Sequence, residues 1–298
     1  MSLDRLDTRL VTRADLTGYL DPEAAGPAAS ALHNTLIDAC IVRASGDVSG
    51  WCERGFEASV RTVVLDGTGQ PRLYLPAWPV AQPVPTRTRT FTSGGTYRVR
   101  QGDTITGATS AATATVSGVG WLTTGTWALG TAEGTLYLYG QTGTFVAENL
   151  NIGAELNVAT IAAGNSTAIA TADQHGVWYD ADRTFADADL LTEDWAGSGG
   201  DYVIIPGEDG HGVLETDSWA KGTRVVQVRM LMGYDYPPEP VRQAALRLTA
   251  MYYQQATGPH GYDVQQIIPS GGTIEVTSRV RMPKDVEALL QSYRREWY

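Results

Sequence analysis

Gly134-Thr135-Leu136-Tyr137-Leu138-Tyr139-Gly140, with Gly143-Thr144-Phe145 just beyond it, is the stretch on which the reading of this sequence turns. Four consecutive large apolar or aromatic residues between glycines are too few for a helix and fit a strand covered on both faces. The same texture runs from Thr90 to Gly164, where 75 residues hold 16 Thr, 13 Gly and 11 Ala with only 6 charges. Such a composition disfavours helix, because glycine and β-branched residues give up more conformational freedom there than alanine does. Tyr97 with Val99, and Thr113 with Thr115 and Val116, mark further short runs separated by glycine-containing turns. That spacing predicts a small antiparallel sandwich or barrel over residues 90–170. It reads as an inserted all-β domain, since helical character stops before it and returns after it.

Working outward, Thr12 precedes Arg13-Ala14-Asp15-Leu16 as an N-cap precedes a short helix. From Ala28 to Ala44, Leu32, Leu36 and Cys40 recur at i, i+4 and i+8 with Ile37 and Ile41 beside them, an amphipathic helix. Gly46 and Gly50 are expected to interrupt it before Trp51. Strands are predicted over Ala58–Leu65 and Arg72–Leu75, joined as a hairpin at Asp66-Gly67-Thr68-Gly69. On the far side, Val225–Met232 alternates as a strand. Pro237-Pro238 then leads into a helix with Val241, Ala245, Leu248 and Tyr252 on one face. A second proline-led helix from Pro283 groups Val286, Leu289, Leu290 and Tyr293, and Ile267–Val276 between them reads as a hairpin or ordered loop. The resulting fold class is α+β: a discontinuous helical core with a β-hairpin or small sheet over 1–89 and 171–298, and the all-β domain at 90–170 inside it.

Charge excludes more than it assigns. Across 298 residues, 22 Lys plus Arg face 33 Asp plus Glu, a formal charge of −11. Phosphate affinity comes mainly from clustered cations, so a free-standing nucleic-acid binder is disfavoured. The excess lies in residues 171–225, with 3 basic against 12 acidic side chains, while both flanks are close to neutral. Cys40 and Cys52, the two cysteines, have no CxxC partner and are expected to be buried reduced thiols. Met1–Leu10 lacks an apolar signal region, and no apolar run is long enough to span a bilayer.

No catalytic pattern emerges. His33, His175, His211 and His260 are dispersed without a partner at metal-ligand spacing, and GxSxG, GxGxxG before a helix and GxxxxGK[ST] are absent. Asp180-Ala181-Asp182 and Asp187-Ala188-Asp189 resemble the opening of a calcium loop but lack its third ligand, glycine and distal glutamate. The adjacent pairs Glu193-Asp194 and Glu208-Asp209 do not establish the two carboxylates across a cleft that glycoside hydrolysis needs. The chain is read as no enzyme, without metal or cofactor. Trp121, Trp127, Tyr137 and Tyr139 offer flat faces for glycan stacking, against a default of core packing.

The terminal zones carry a resemblance. Trp51-Cys52-Glu53-Arg54-Gly55-Phe56, Val64-Leu65-Asp66-Gly67 and Leu73-Tyr74-Leu75-Pro76-Ala77-Trp78-Pro79-Val80 are followed at a distance by Val226 to Gly233-Tyr234. The helix Val241–Gln254 and Met282-Pro283 to Tyr293-Arg294-Arg295 complete the series. In order and spacing these resemble tailed-bacteriophage head-to-tail adaptor (connector) proteins over residues 12–85 and 200–298. That family shows a Cys-Gly-Arg-x-Phe-like turn after its helix; here Glu53 stands where it favours glycine. Gly107–Val116 and Gly134–Leu138 look like repetitive β modules of other virion proteins, which implies a decoration on the outside of a ring.

The resemblance implies a structural virion protein of the neck, assembled in the host cytoplasm. Its copies would form a closed, dodecameric ring below the portal protein, extend the DNA ejection channel without sequence-specific binding, and offer a docking platform to the downstream tail or neck protein. Identical protomers in a closed ring use heterologous contacts. Tyr293, Arg294, Arg295, Trp297 and Tyr298 have the composition of an interface anchor and are the expected portal contact. Helix-dipole compensation accounts for Arg294 and Arg295 equally well. The alternative function is a carbohydrate- or surface-binding virion module acting through the inserted β domain.

Overall fold

The computed structural model describes residues 9–20, 31–92, 95–162, 167–194, 197, 199–206, 212–257 and 282–294. Two compact units divide the chain: Phe56–Tyr236 forms one, and Met1–Gly55 with Pro237–Tyr298 the other.

In the Phe56–Tyr236 unit, β1 (Ser59–Gly67) and β2 (Arg72–Tyr74) come first. Next are β3 (Arg87–Thr92), β4 (Thr104–Gly107), β5 (Thr113–Val119), β6 (Glu133–Thr142), β7 (Glu148–Ile152), β8 (Glu155–Ile161) and β9 (Thr167–Ala168). The last are β10 (Gly176–Tyr179), β11 (Leu190–Leu191), β12 (Val203–Pro206), β13 (Gly212–Glu215) and β14 (Gly222–Met232). Strands β6, β5, β4, β7, β8 and β3 pair in that order, and β3 returns to pair with β6, closing a six-stranded barrel. Closure satisfies both edges of every strand, which a small Thr- and Gly-rich sheet could not otherwise do.

Period-two alternation fills the barrel. Ile105, Val116, Leu136, Leu138 and Leu150 are fully buried inside, and the Phe91 and Trp127 rings stack with centroids 5.1 Å apart. Each such aliphatic contributes roughly 2 kcal/mol from area removed from water. Leu136–Tyr139 was expected to be covered on both faces; instead Leu136 and Leu138 point inward, Tyr137 is half-buried and Tyr139 is exposed. A barrel has one interior, so alternate residues of the run must leave it.

Outside the barrel, β1, β14, β10 and β11 form a four-stranded sheet and β12, β13 and β2 a three-stranded one. Their shared core includes Trp219, Tyr202, Val226 and Met230. The predicted hairpin between β1 and β2 does not form: β1 pairs with β14 from Ser59↔Met232 to Leu65↔Val226, whereas β2 pairs with β13. Asp66-Gly67 makes a bulge instead. The Asp66 carboxylate accepts from the Arg224 N–H at 2.7 Å, and a Cβ on Gly67 would lie 1.9 Å from the Ala220 carbonyl oxygen. The glycine is required by close approach rather than by a turn.

Helices occupy the other unit: α1 (Arg13–Tyr19), α2 (Ala31–Cys52), α3 (Glu239–Thr257) and α4 (Lys284–Leu290). Thr12 caps α1 in a capping box with Asp15. Gly46 and Gly50 were expected to end α2, yet it runs through both to Cys52. Ile37, Ile41, Ala44, Val48 and Cys52 continue the buried stripe past them, and this burial outweighs about 1 kcal/mol per glycine. Buried Val241, Ala245, Leu248 and Tyr252 give α3 its inner face. The Tyr252 hydroxyl donates to Asp47 at 2.6 Å, the Arg43 guanidinium lies 4.2 Å from the Tyr252 ring centroid, and Arg242 reaches Asp15 at 3.0 Å. Ile267–Val276 lies outside the described residues.

The expected α+β class, a discontinuous helical adaptor core with a hairpin or small sheet around an inserted all-β domain, is thereby overturned. The chain is mostly β, built around a six-stranded closed barrel, and is not a helical core interrupted by a domain. Residues 56–89 and 171–236, assigned to that core, fold chiefly as β1, β2 and β10–β14. Several of these strands are only two to four residues long, too short for periodicity to register against their acidic and glycine-rich connections.

Candidate functional site

At the end of α2, Cys52 is fully buried and Glu53 adopts φ 56, the left-handed position after a helix that glycine usually fills. The Glu53 and Arg54 N–H groups donate to the carbonyls of Gly50 at 3.3 Å and Ser49 at 3.1 Å, closing the last turn. Arg54 is 6% exposed, so the turn buries a guanidinium beside the carbonyl end of the helix, where a cation is favoured. From the other end of the chain, Arg294 lies over the Trp51 ring, 5.4 Å from its centroid. Tyr293 sits half-buried in a 3-10 turn, its phenol pushed up by burial while Arg54 pulls it down. Burial pushes the Cys52 thiol up to about 12 against the opposing pull of Arg54 and Arg294, and raises Cys40 as well. Both cysteines are free and buried. Of the expected portal contacts, Tyr293 and Arg294 therefore share one patch with Trp51 and Arg54, while Arg295, Trp297 and Tyr298 lie outside the described residues.

The four aromatics considered for glycan stacking occupy unlike places. Trp127 is 5% exposed, with one face against Phe91 and its Nε1 donating to Asp235 at 3.2 Å. Trp121 and Tyr137 are half-buried, and Tyr139 alone of the four is open to solvent. Tyr137 packs on Ala58, Ala81 and Leu231 of the neighbouring sheet region and lies 5.6 Å from the His175 ring.

Between the barrel and the four-stranded sheet lies a crevice of about 270 Å³, floored by Val80, Ala81, Val119 and Leu231. Arg98 and Arg100 also line it. Arg98 makes a two-pronged contact with Asp235, through Nε at 3.2 Å and through Nη2, and Asp103 accepts the Arg100 N–H at 2.7 Å. The Arg98 guanidinium is thus paired with Asp235, whereas Asp103 engages only the backbone of Arg100. Sequence reasoning missed this grouping, because Gly233-Tyr234-Asp235-Tyr236 reads only as a lead into a helix; no local signal links it to Arg98 and Trp127.

The Asp-Ala-Asp motifs resolve into loop closures. Asp180 accepts from the N–H groups of Asp182 at 2.7 Å and Phe185 at 2.9 Å, and from the N–H and hydroxyl of Thr184. Those bonds, led by Phe185, hold its carboxyl down at about 2. The Asp189 carboxylate likewise accepts from Ala186 N–H at 2.8 Å. Among the described residues no three His, Cys, Asp or Glu side chains group as a metal site, and no helix is long and apolar enough to cross a membrane. No protein-family model matches the chain, and no curated protein matches it.

Proposed function

We propose that this protein is a structural head-to-tail adaptor of a tailed-phage neck, assembling as a ring below the portal and without catalytic activity. The observation that carries the reading is Glu53 at φ 56. The residue that departs from the family's Cys-Gly-Arg turn occupies the left-handed backbone position that gives glycine its advantage there, so the turn geometry agrees with the motif where the side chain does not. A second support is spatial. The turn at Trp51–Arg54 and the segment at Tyr293-Arg294, more than two hundred residues apart, form one aromatic and cationic patch with Arg294 exposed. Arg, Trp and Tyr dominate the energetic centres of interfaces, and this patch is the portal contact.

The acidic segment 171–225 suits a DNA conduit, since a negative wall does not hold phosphate and lets the genome slide. Asp182 and Asp187 stand exposed in that segment. The test is native mass measurement of the protein alone and mixed with the portal protein of the same virion, for the intact chain and for a chain lacking 294–298. A closed ring or a portal-dependent assembly of the intact chain, lost on truncation while the subunit stays folded, is the expected result. A monomer in both conditions overturns the adaptor reading, and undiminished portal binding by the truncated chain overturns the assigned contact.

A further inference from the structure

His175 is 3% exposed, immediately before β10, and its Nδ1 has no hydrogen-bond partner among the described residues. Its ring lies 5.6 Å from the ring of Tyr137, on the outer face of barrel strand β6, at an interplanar angle of 33°. Tyr137 in turn packs on Ala58, Ala81 and Leu231, so this aromatic pair sits where the barrel meets the four-stranded sheet. From the sheet side, Gly176 pairs with Arg229 of β14, and Arg229 donates to Asp173 at 2.6 Å in the turn just before the histidine. The charged and titratable groups facing His175 are therefore Tyr137 from β6, Arg229 from β14 and Asp173 from its own approach. Asp173 is 68% exposed and already engaged by Arg229.

A buried imidazole whose Nδ1 lacks a hydrogen-bond partner is favoured in its neutral form, because a charged one would lose hydration beside a guanidinium. We propose that His175 is an acid-released latch: neutral, it seats the barrel on the four-stranded sheet through Tyr137; protonated, it loosens that seat and lets the barrel separate from the sheet. Attraction between an imidazolium and the Tyr137 face offsets part of this, but it acts on one side while Arg229 repels from the other. The electrostatics have the required sign. Burial first, then Arg229, push His175 down from 6.5 to about 4, with Asp173 opposing. A histidine whose folded value is depressed contributes stability above its unfolded value, and that contribution is lost as pH falls from about 6.5 toward 4. Any opening that frees the ring then becomes on the order of 100-fold more populated at pH 4.0 than at pH 7.5.

Hydrogen exchange on the intact chain, corrected for the intrinsic pH dependence of exchange, reads this opening at Leu136–Tyr139 and Gly176–Tyr179. The native protein should gain on the order of 100-fold in opening at pH 4.0 over pH 7.5, and His175→Phe, which keeps a ring but cannot be protonated, should change only severalfold. Equal opening of the native protein at both pH values, or the same rise in His175→Phe, overturns the proposal. Titration of the His175 ring protons by NMR in the native chain stands independently of whether the variant folds: a midpoint well below 6.5 supports the latch and one at or above 6.5 overturns it.

Discussion

The indole Nε1 of Trp127 donates to Oδ2 of Asp235 at 3.2 Å, so a tryptophan packed in the barrel and an aspartate just past the last strand of the neighbouring sheet share one hydrogen bond. Arg98 grips the same carboxylate, and the Asp235 side chain is 11% exposed against 46% for Arg98. Removing Asp235 strands two donors, whereas removing Arg98 leaves the indole bond in place. Asp235→Ala should destabilise the protein by about 2–4 kcal/mol and Arg98→Ala by less than about 1 kcal/mol. Chemical denaturation of both variants checks the order; equal losses would show that Asp235 acts only through its ion pair.

Glu148 organises the opposite logic within one loop. Its carboxylate accepts from the N–H groups of Thr109 at 2.7 Å, Ser110 at 2.8 Å and Val146 at 3.1 Å, and from the Ser110 hydroxyl at 2.5 Å. Burial pushes its carboxyl up, but these four bonds outweigh it and hold the group below 4.5. A carboxylate depressed in the fold stabilises above its unfolded value and loses that contribution as pH falls through the folded value. Native stability should therefore decline below about pH 4.5. Glu148→Gln should cost about 1–3 kcal/mol at pH 7 and flatten that part of the profile, measured by thermal melts across pH 3–7. An unchanged profile would place the acid sensitivity elsewhere.

Glu53 offers a stabilising change. A side chain at φ 56 costs about 1–2 kcal/mol relative to glycine, partly returned by the greater freedom glycine has when unfolded. Glu53→Gly should raise stability by about 0.5–1 kcal/mol, read by chemical denaturation. A loss of stability would show that the Glu53 side chain contributes more than its backbone strain costs.

Much of the local structure was legible in the residues. Thr12 with Asp15 announced a cap, the i, i+4 and i+7 positions of Val241, Ala245 and Leu248 announced a helix face, and the Thr-rich alternation after Thr90 announced strands. These signals are local, because capping and side-chain periodicity act over a few residues. The Asp66-Gly67 dipeptide misled for the complementary reason: a turn and a bulge use the same residues, and Ala220, more than 150 positions away, decides between them.

The sequence by itself determined which segments are helical or extended in the longest elements and where the acidity lies. Only the tertiary structure decided that six strands close on one another, that α2 continues through Gly46 and Gly50, and that Trp127, Arg98 and Asp235 meet. Strand pairing and burial are set by partners distant in the chain. A row of backbone donors carries no mark of which strand it will meet, so mostly β architecture is settled by the free energy of closing the whole barrel rather than by any one stretch.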